Sequence, residues 1–361
     1  MSHVLEKTLA VATQTADYPR DHEAWSARIV EECLSERLAN HGANCSRVVQ
    51  LIRKSREAPQ IARDIIASQL DADRLDYLLR DSYAAGVPYG HYALDWLLRC
   101  LRVGQFRPHE SDHVTPRLGF ATPKAKAVVG QYILARQSMY SEVYMHKATR
   151  AFQALLHNIV GLASLEASDG HELPGTSPSL AKMLRKESLS VDEYLSLDDC
   201  VVWSAIVAWA CMKGKRPRKL RAELRRKAEM LVGRSRPYRH VEIHMGSVKA
   251  AAELTVEARR DPMLSASLHY DEFGDVPYRN VFYKPVLGGM TDEGEEEHAR
   301  PIYFIDVNGR ADTPEGESKV IDQLSKVEIE LKRLYYDASS PQAVAALRKC
   351  GLLGDSETGG E

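Results

Sequence analysis

This chain of 361 residues lacks most of the features that mark secreted, membrane-bound or disulfide-stapled proteins. Its six cysteines (Cys33, Cys45, Cys100, Cys200, Cys211, Cys350) are scattered, with no C-x-x-C pair. That argues against a zinc ribbon or a dense disulfide framework and fits a reducing cytoplasm. No apolar run approaches ~18 residues, so no membrane-spanning helix is expected. The opening Met-Ser-His-Val-Leu-Glu-Lys has no signal-peptide apolar core. Neither sign of charge dominates: 48 basic residues meet 50 acidic ones, which excludes a surface built wholly for nucleic acid. What is present, 44% hydrophobic and 27% charged residues, is the composition of a soluble globular protein able to bury a large core.

Helical periodicity runs through most of the first two thirds. Apolar stripes predict helices over 22–56, with Ile29, Val30, Cys33 and Leu34 on the first. Pro59 suits the start of the next helix, where a missing N–H does least harm. The pattern then runs into a charged segment that Gly86, Pro88 and Gly90 terminate. A helix over 93–101, a short hairpin near 117–121, a long helix over 122–163, a loop over 167–178 and helices over 179–187, 192–212 and 217–233 follow. After Pro237 the pattern changes to short apolar segments (240–244, 281–284, 301–307) around an Asp-Val-Asn-Gly turn at 306–309, which reads as strands and a hairpin. One more helix is expected over 318–336. The fold class is therefore mainly α: a helical domain over 1–236, a small α+β subdomain over 237–352, and a frayed tail over 353–361.

Three clusters could carry chemistry. Between Gln69 and Asp81 the chain places four Asp, two Arg and Tyr77 among Leu75, Leu78 and Leu79. At ~100° per residue Asp73, Asp76, Tyr77 and Arg80 share one helix face, with Arg74 and Asp81 at its edges. Such a face is either solvated and laced by pairs such as Asp76–Arg80, or a working surface whose charge is compensated by a ligand. In the second cluster Arg136, Tyr140, Tyr144 and Lys147 fall within a ~90° arc of one helix. A cationic and phenolic stripe can grip phosphate and stack on a sugar or base, while an amphipathic helix with core Tyr and snorkelling cations reads the same way. The third is N-terminal: His3 near Glu6, and His22 beside Glu23. Each His could serve as an acid or base with a carboxylate orienting it, or simply cap a helix.

Taken in order, these segments resemble the HD-domain phosphohydrolases, in particular the branch of deoxynucleoside triphosphate triphosphohydrolases. The resemblance rests on Ser2-His3-Val4-Leu5-Glu6, His22-Glu23, Ser68 through Tyr77 with Arg80-Asp81, Gly86-Val87-Pro88-Tyr89-Gly90, and Arg136 through Lys147. It implies an HD-type helical fold, a divalent metal cofactor (Mn, Fe, Zn or Mg), a nucleotide substrate and a homo-oligomer. It also implies Asp73 as a metal ligand, His22 and His3 as acid/base groups with Glu23 orienting His22, and Arg74, Tyr77, Asp81, Arg136, Tyr140, Tyr144 and Lys147 on sugar and phosphate. In the family a first His and a His-Asp doublet lie upstream of the Ser-His-x-x-Glu segment, where this chain begins. One carboxylate leaves most coordination positions to water. The expectation is therefore an N-terminally incomplete HD-type domain, inactive as an isolated chain. The competing reading is a metal-free nucleotide-binding or regulatory protein, or a subunit completed by another chain.

Two further segments stand out. Residues 213–239 hold twelve Lys/Arg, read either as a patch for nucleic acid or a regulatory nucleotide, or as a solvated helix neutralised by acidic neighbours. The acidic run 292–297 reads as a mobile loop.

Overall fold

Capping side chains set where many of the helices begin. The computed structural model describes residues 21–107, 114–213, 218–235, 238–275, 302–313, 318–324, 326–327 and 329–354. Asp21 caps α1 (His22–Ile29), accepting from the Ala24 N–H at 2.7 Å. A π turn, Val30–Leu34, leads from α1 into α2 (Ser35–Asn40). Asn44 caps α3 (Cys45–Ile52), and Pro59 precedes α4 (Gln60–Ile66). Asp71 caps α5 (Ala72–Ala85), which Gly86 ends in the left-handed conformation at φ 68°. After α6 (Leu94–Arg99), strands β1 (Leu101–Phe106) and β2 (Thr115–Ala121) form an antiparallel pair. Then come α7 (Lys126–Met139), a second π turn (Tyr140–Tyr144), α8 (Lys147–Ser168), α9 (Pro178–Leu184), α10 (Val191–Leu195), α11 (Asp199–Ala210) and α12 (Lys219–Val232). The remainder is β3 (Arg239–Glu242), α13 (Val248–Ala258), α14 (Pro262–Ser265), β4 (Leu268–Asp275), β5 (Phe304–Ile305), β6 (Ala311–Asp312), α15 (Lys319–Leu324), β7 (Ile329–Tyr336) and α16 (Pro341–Lys349).

Two compact units result. One comprises Met1–Ser35, His146–Phe273 and Leu331–Glu361; the other comprises Glu36–Met145 and Gly274–Glu330. The first holds a helical core in which Leu155, Ile159, Ile206, Trp209 and Leu224 are buried. It also holds a three-stranded sheet of order β3-β7-β4, with its own core of Leu254, Leu334, Tyr336 and Leu347. The second buries Leu78, Leu97, Val129, Tyr132, Ile133, Met139 and Phe304 together, and carries a four-stranded sheet of order β1-β2-β5-β6. The units interleave along the chain instead of meeting at a single point near residue 236. Strand β5 pairs parallel with β2, and β7 inserts between β3 and β4, so distant segments complete each sheet.

Two expectations need correction. The helix expected over 318–336 is helical only at Lys319–Leu324, and Ile329–Tyr336 is the central strand β7. In Ile-Glu-Leu-Lys-Arg-Leu-Tyr-Tyr the buried Leu331, Leu334 and Tyr335 fall at i, i+3 and i+4, a spacing that a helix shares, and only the pairing with β3 and β4 makes the segment a strand. The long helix over 122–163 is interrupted: α7 gives way to the π turn, and Met145 separates that turn from α8. Helices α13 and α16 lie in stretches of the α+β subdomain to which the sequence pattern assigns no element. The strand expected at 281–284 and the acidic run at 292–297 fall outside the described residues. Among the described residues, no helix is long and apolar enough to cross a membrane.

Candidate functional site

The charged helix sits where local chemistry holds it. Asp71 is buried, and its carboxylate accepts from the Arg74 N–H at 2.8 Å. Burial pushes the Asp71 carboxyl upward, partly offset by the charge of Arg74. Beyond the helix, Gly90 packs so closely that a Cβ there would lie 2.4 Å from the Leu78 carbonyl oxygen. The Gly90 N–H donates to Ser82 Oγ at 3.2 Å, and Ser82 Oγ donates in turn to the Val87 carbonyl at 2.5 Å. The glycine-rich segment after the motif thus folds back onto its own helix. From the other end, Asp64 of α4 is buried and accepts a two-pronged contact from Arg117 of β2, at 2.9 and 2.8 Å, and the Leu118 N–H at 3.1 Å. Arg117 also lies over the Tyr303 ring, 4.4 Å from its centroid. This pair, which sequence reasoning missed, ties α4 to the sheet and so fixes the approach to α5. Its only sequence signal is a lone Asp in an apolar helical stretch.

On α5 the charged residues divide by exposure. Leu75, Leu78 and Ser82 are buried, Tyr77 and Asp81 are half-buried, and Asp73, Asp76 and Arg80 are exposed. Asp76 and Arg80 form the anticipated i,i+4 ion pair at 2.9 Å on the surface. The Arg74 guanidinium turns back to the Asp71 carboxylate and the Ser68 carbonyl, bracing the entry to the helix.

The second cluster meets the first along Tyr77 and Asp81. The Tyr144 hydroxyl donates to Asp81 Oδ2 at 2.6 Å, and the Tyr144 ring stands edge-on to Tyr77 and Tyr140, at 6.5 and 5.1 Å between centroids. Tyr77 and Tyr140 share a hydrogen bond. Arg136 is buried, 8% exposed, with its guanidinium carbon 5.0 Å from the Tyr140 ring centroid. Tyr140 and Tyr144 ride on the π turn that follows α7, a local unwinding often found at functional sites. Burial holds the phenols of Tyr77 and Tyr144 protonated well above their ordinary range; the neighbouring Tyr140 reinforces this at Tyr77, and the hydrogen bond to Asp81 at Tyr144. The result is a surface of phenol hydroxyls, one desolvated guanidinium and one carboxylate.

The other expected site residues are placed elsewhere. Lys147 starts α8 and belongs to the other compact unit, so the arc drawn from Arg136 through Lys147 on one helix does not exist. The π turn and the break at Met145 shift the register that a regular helix would have kept. His22 and Glu23 open α1, also in that unit, with His22 exposed. His3 lies outside the described residues. Asp73 offers one carboxylate, and among the described residues no group of three or more His, Cys, Asp or Glu side chains could hold a metal ion. The described residues therefore do not fit a metal centre by themselves. In the basic segment, Lys227 is fully buried and paired with Glu223 and Asp337, while Arg225 pairs with Glu229.

No known protein-family profile matches the chain. It is similar to an uncharacterized protein of Bacillus subtilis, YwfO, with 29% identity over 293 residues, 80% of this chain and 60% of that protein. A second stretch of similarity, 34% over 96 residues, joins it to an uncharacterized protein of Methanocaldococcus jannaschii, covering 27% of this chain and 20% of that one. The chain thus spans about 60% and 20% of the lengths of these two relatives. Among solved structures it is similar to a phosphohydrolase from Bacteroides thetaiotaomicron, at TM-score 0.65 and 21% identity over 93% of this chain and 75% of that one. A hypothetical protein from Aquifex aeolicus gives TM-score 0.56 and 17% identity, over 96% of this chain and 84% of that one. The fold is a helical, phosphohydrolase-like one with a small α+β part.

Proposed function

We propose that the chain binds a nucleotide on the face formed by α5 and the π turn, and that its activity is hydrolysis of that nucleotide's phosphate groups. The substrate class we favour is the deoxynucleoside triphosphates. The observation that carries this reading is Arg136, a buried guanidinium set against Tyr140 beside the Tyr77–Tyr144–Asp81 cluster. A desolvated guanidinium binds phosphate oxygens more strongly than an exposed one, and its planar fork matches their geometry. The tyrosine rings offer stacking surface for a sugar or base, and their hydroxyls remain donors because burial keeps them protonated.

Phosphoryl transfer to water depends mainly on positioning and on stabilising the charge of the transferring group. In this reading Arg136 supplies charge stabilisation and Asp81 fixes the Tyr144 hydroxyl. Asp73 alone gives too few ligands for a metal centre. The likeness to a phosphohydrolase fold supports a hydrolase, and the segment from Ser68 to Asp81 supports the nucleotide. The test is incubation of the purified chain with each deoxynucleoside triphosphate and Mn²⁺ or Mg²⁺, with release of phosphate, pyrophosphate or triphosphate followed alongside equilibrium binding. Turnover supports the hydrolase. Saturable binding without turnover supports the second reading, a nucleotide-binding protein, and neither result sinks both.

A further inference from the structure

The unit that contains α8 has a cleft of about 480 Å³ that none of the residues discussed above lines. That volume lies within the ~300–1,000 Å³ typical of small-molecule sites. Its basic side chains come from four elements: Lys186 after α9, Arg259 at the end of α13, His157 on α8 and His269 on β4. The two imidazoles stack with centroids 4.8 Å apart and 20° between planes. Leu162 and Leu268 supply apolar lining, and among the described residues no Asp or Glu lines the cleft.

Two residue choices make an anion the natural occupant. Lys186 adopts φ 63°, the left-handed region where glycine is the ordinary choice. Its own N–H bonds the Met183 carbonyl and the Glu187 N–H bonds the Lys182 carbonyl, both at 3.0 Å, the hydrogen-bond signature of that helix end. Lys54 and Arg234 also adopt positive φ, and a cation there suits a helix C-terminus in general. Lys186 differs because its side chain lines a cleft that holds a second fixed cation. The other choice is Gly161, in the interior of α8, where glycine weakens a helix. A Cβ built there meets nothing within 4 Å, so no neighbour demands glycine; it leaves the helix surface open on the side of the cleft.

We propose that this cleft is a second binding site, for a small phosphate-bearing molecule. Lys186 and Arg259 hold the phosphoryl oxygens, and the stacked imidazoles with Leu162 and Leu268 pack on the rest. The proposal does not depend on the chain being a hydrolase.

The test is titration calorimetry of the full chain at low salt, with inorganic pyrophosphate and then adenosine 5′-monophosphate as probes. The expected result is saturable binding of both that weakens at least ~10-fold in Lys186→Gly and in Arg259→Gln, as loss of a charge-assisted phosphate contact should produce. Binding should be lost in Gly161→Leu, which fills the cleft, and should persist in Arg136→Ala. Lys186→Gly relieves a left-handed lysine, so its melting temperature should hold or rise, which separates lost binding from lost folding. No saturable binding to the wild-type chain, or binding that survives Lys186→Gly and Arg259→Gln, would overturn the proposal.

Discussion

Removing the charge of Asp337 gives the sharpest energetic test, because that carboxylate is almost fully enclosed. Its side chain is 1% exposed, and Oδ2 lies 3.0 Å from the ammonium of Lys227, whose side chain is 0% exposed. Lys227 also meets Glu223 at 3.0 Å and donates to the Tyr238 hydroxyl at 2.9 Å, while Arg226 bridges Asp337 and Glu223. Ser339 donates to Asp337 Oδ1 from its N–H at 3.0 Å and its hydroxyl at 2.6 Å. Burial alone would raise the carboxyl, but Lys227, Ser339 and Arg226 outweigh it and hold the group at about 2, below its ordinary 3.8. A depressed folded-state value means stability that is present above the unfolded value and lost as pH falls through the folded one. Taken at ~1.36 kcal/mol per pH unit, the contribution at neutral pH is about 2 kcal/mol. In Asp337→Asn the remaining cations lose a partner, and breaking a buried pair costs ~3–5 kcal/mol. Urea unfolding at pH 5 and at pH 2.5 should therefore show a gap between wild type and Asp337→Asn that shrinks by about 1.5 kcal/mol at the lower pH. A gap that stays constant over that range would refute the argument.

Other outcomes follow from the second unit. Arg117→Lys keeps the charge but loses the fork onto Asp64, and should cost about 3 kcal/mol in urea unfolding. Gly90→Ala drives a methyl against the Leu78 carbonyl and should destabilise by ~1–3 kcal/mol, read as a lowered melting temperature. Tyr144→Phe removes the donor to Asp81, for a loss of ~1–2 kcal/mol. Nucleotide binding measured by dialysis should show no loss from phenol ionisation up to about pH 10, because Tyr77 and Tyr144 titrate above their ordinary range. An earlier loss that Tyr144→Phe abolishes would count against the burial assigned to these rings.

Much of this was legible from local chemistry. The motif from Asp71 to Asp81 announces its buried leucines and its glycine stop, and the folded helix uses both; the cap by Asp71 emerges only in the structure. The turn before Gly309 was readable because turn residues act within a few positions, whereas the short hairpin expected near 117–121 is a single strand, β2, paired with β1. What was not legible depends on distant partners. Strand β7 looks helical until β3 and β4 flank it. The π turn at Tyr140–Tyr144 leaves no mark in a 3.6-residue period, so Lys147 seemed to share a face with Arg136. Asp64 is unremarkable in sequence, and its importance comes from an arginine 53 positions away. The cationic cleft gathers three separate stretches of chain that no linear spacing brings together.

The central claim is that the face of Arg136, Tyr77 and Tyr144 holds a nucleotide for hydrolysis of its phosphates. Its most direct test is equilibrium binding of deoxynucleoside triphosphates, with hydrolysis in Mn²⁺ or Mg²⁺ followed alongside, by wild type and by Arg136→Ala at matched folded fraction. Wild type should bind saturably, and loss of that guanidinium should weaken binding at least ~10-fold and lower any turnover with it. Binding or turnover that Arg136→Ala leaves unchanged would contradict the claim, as would the absence of both turnover and saturable nucleotide binding in the wild-type chain.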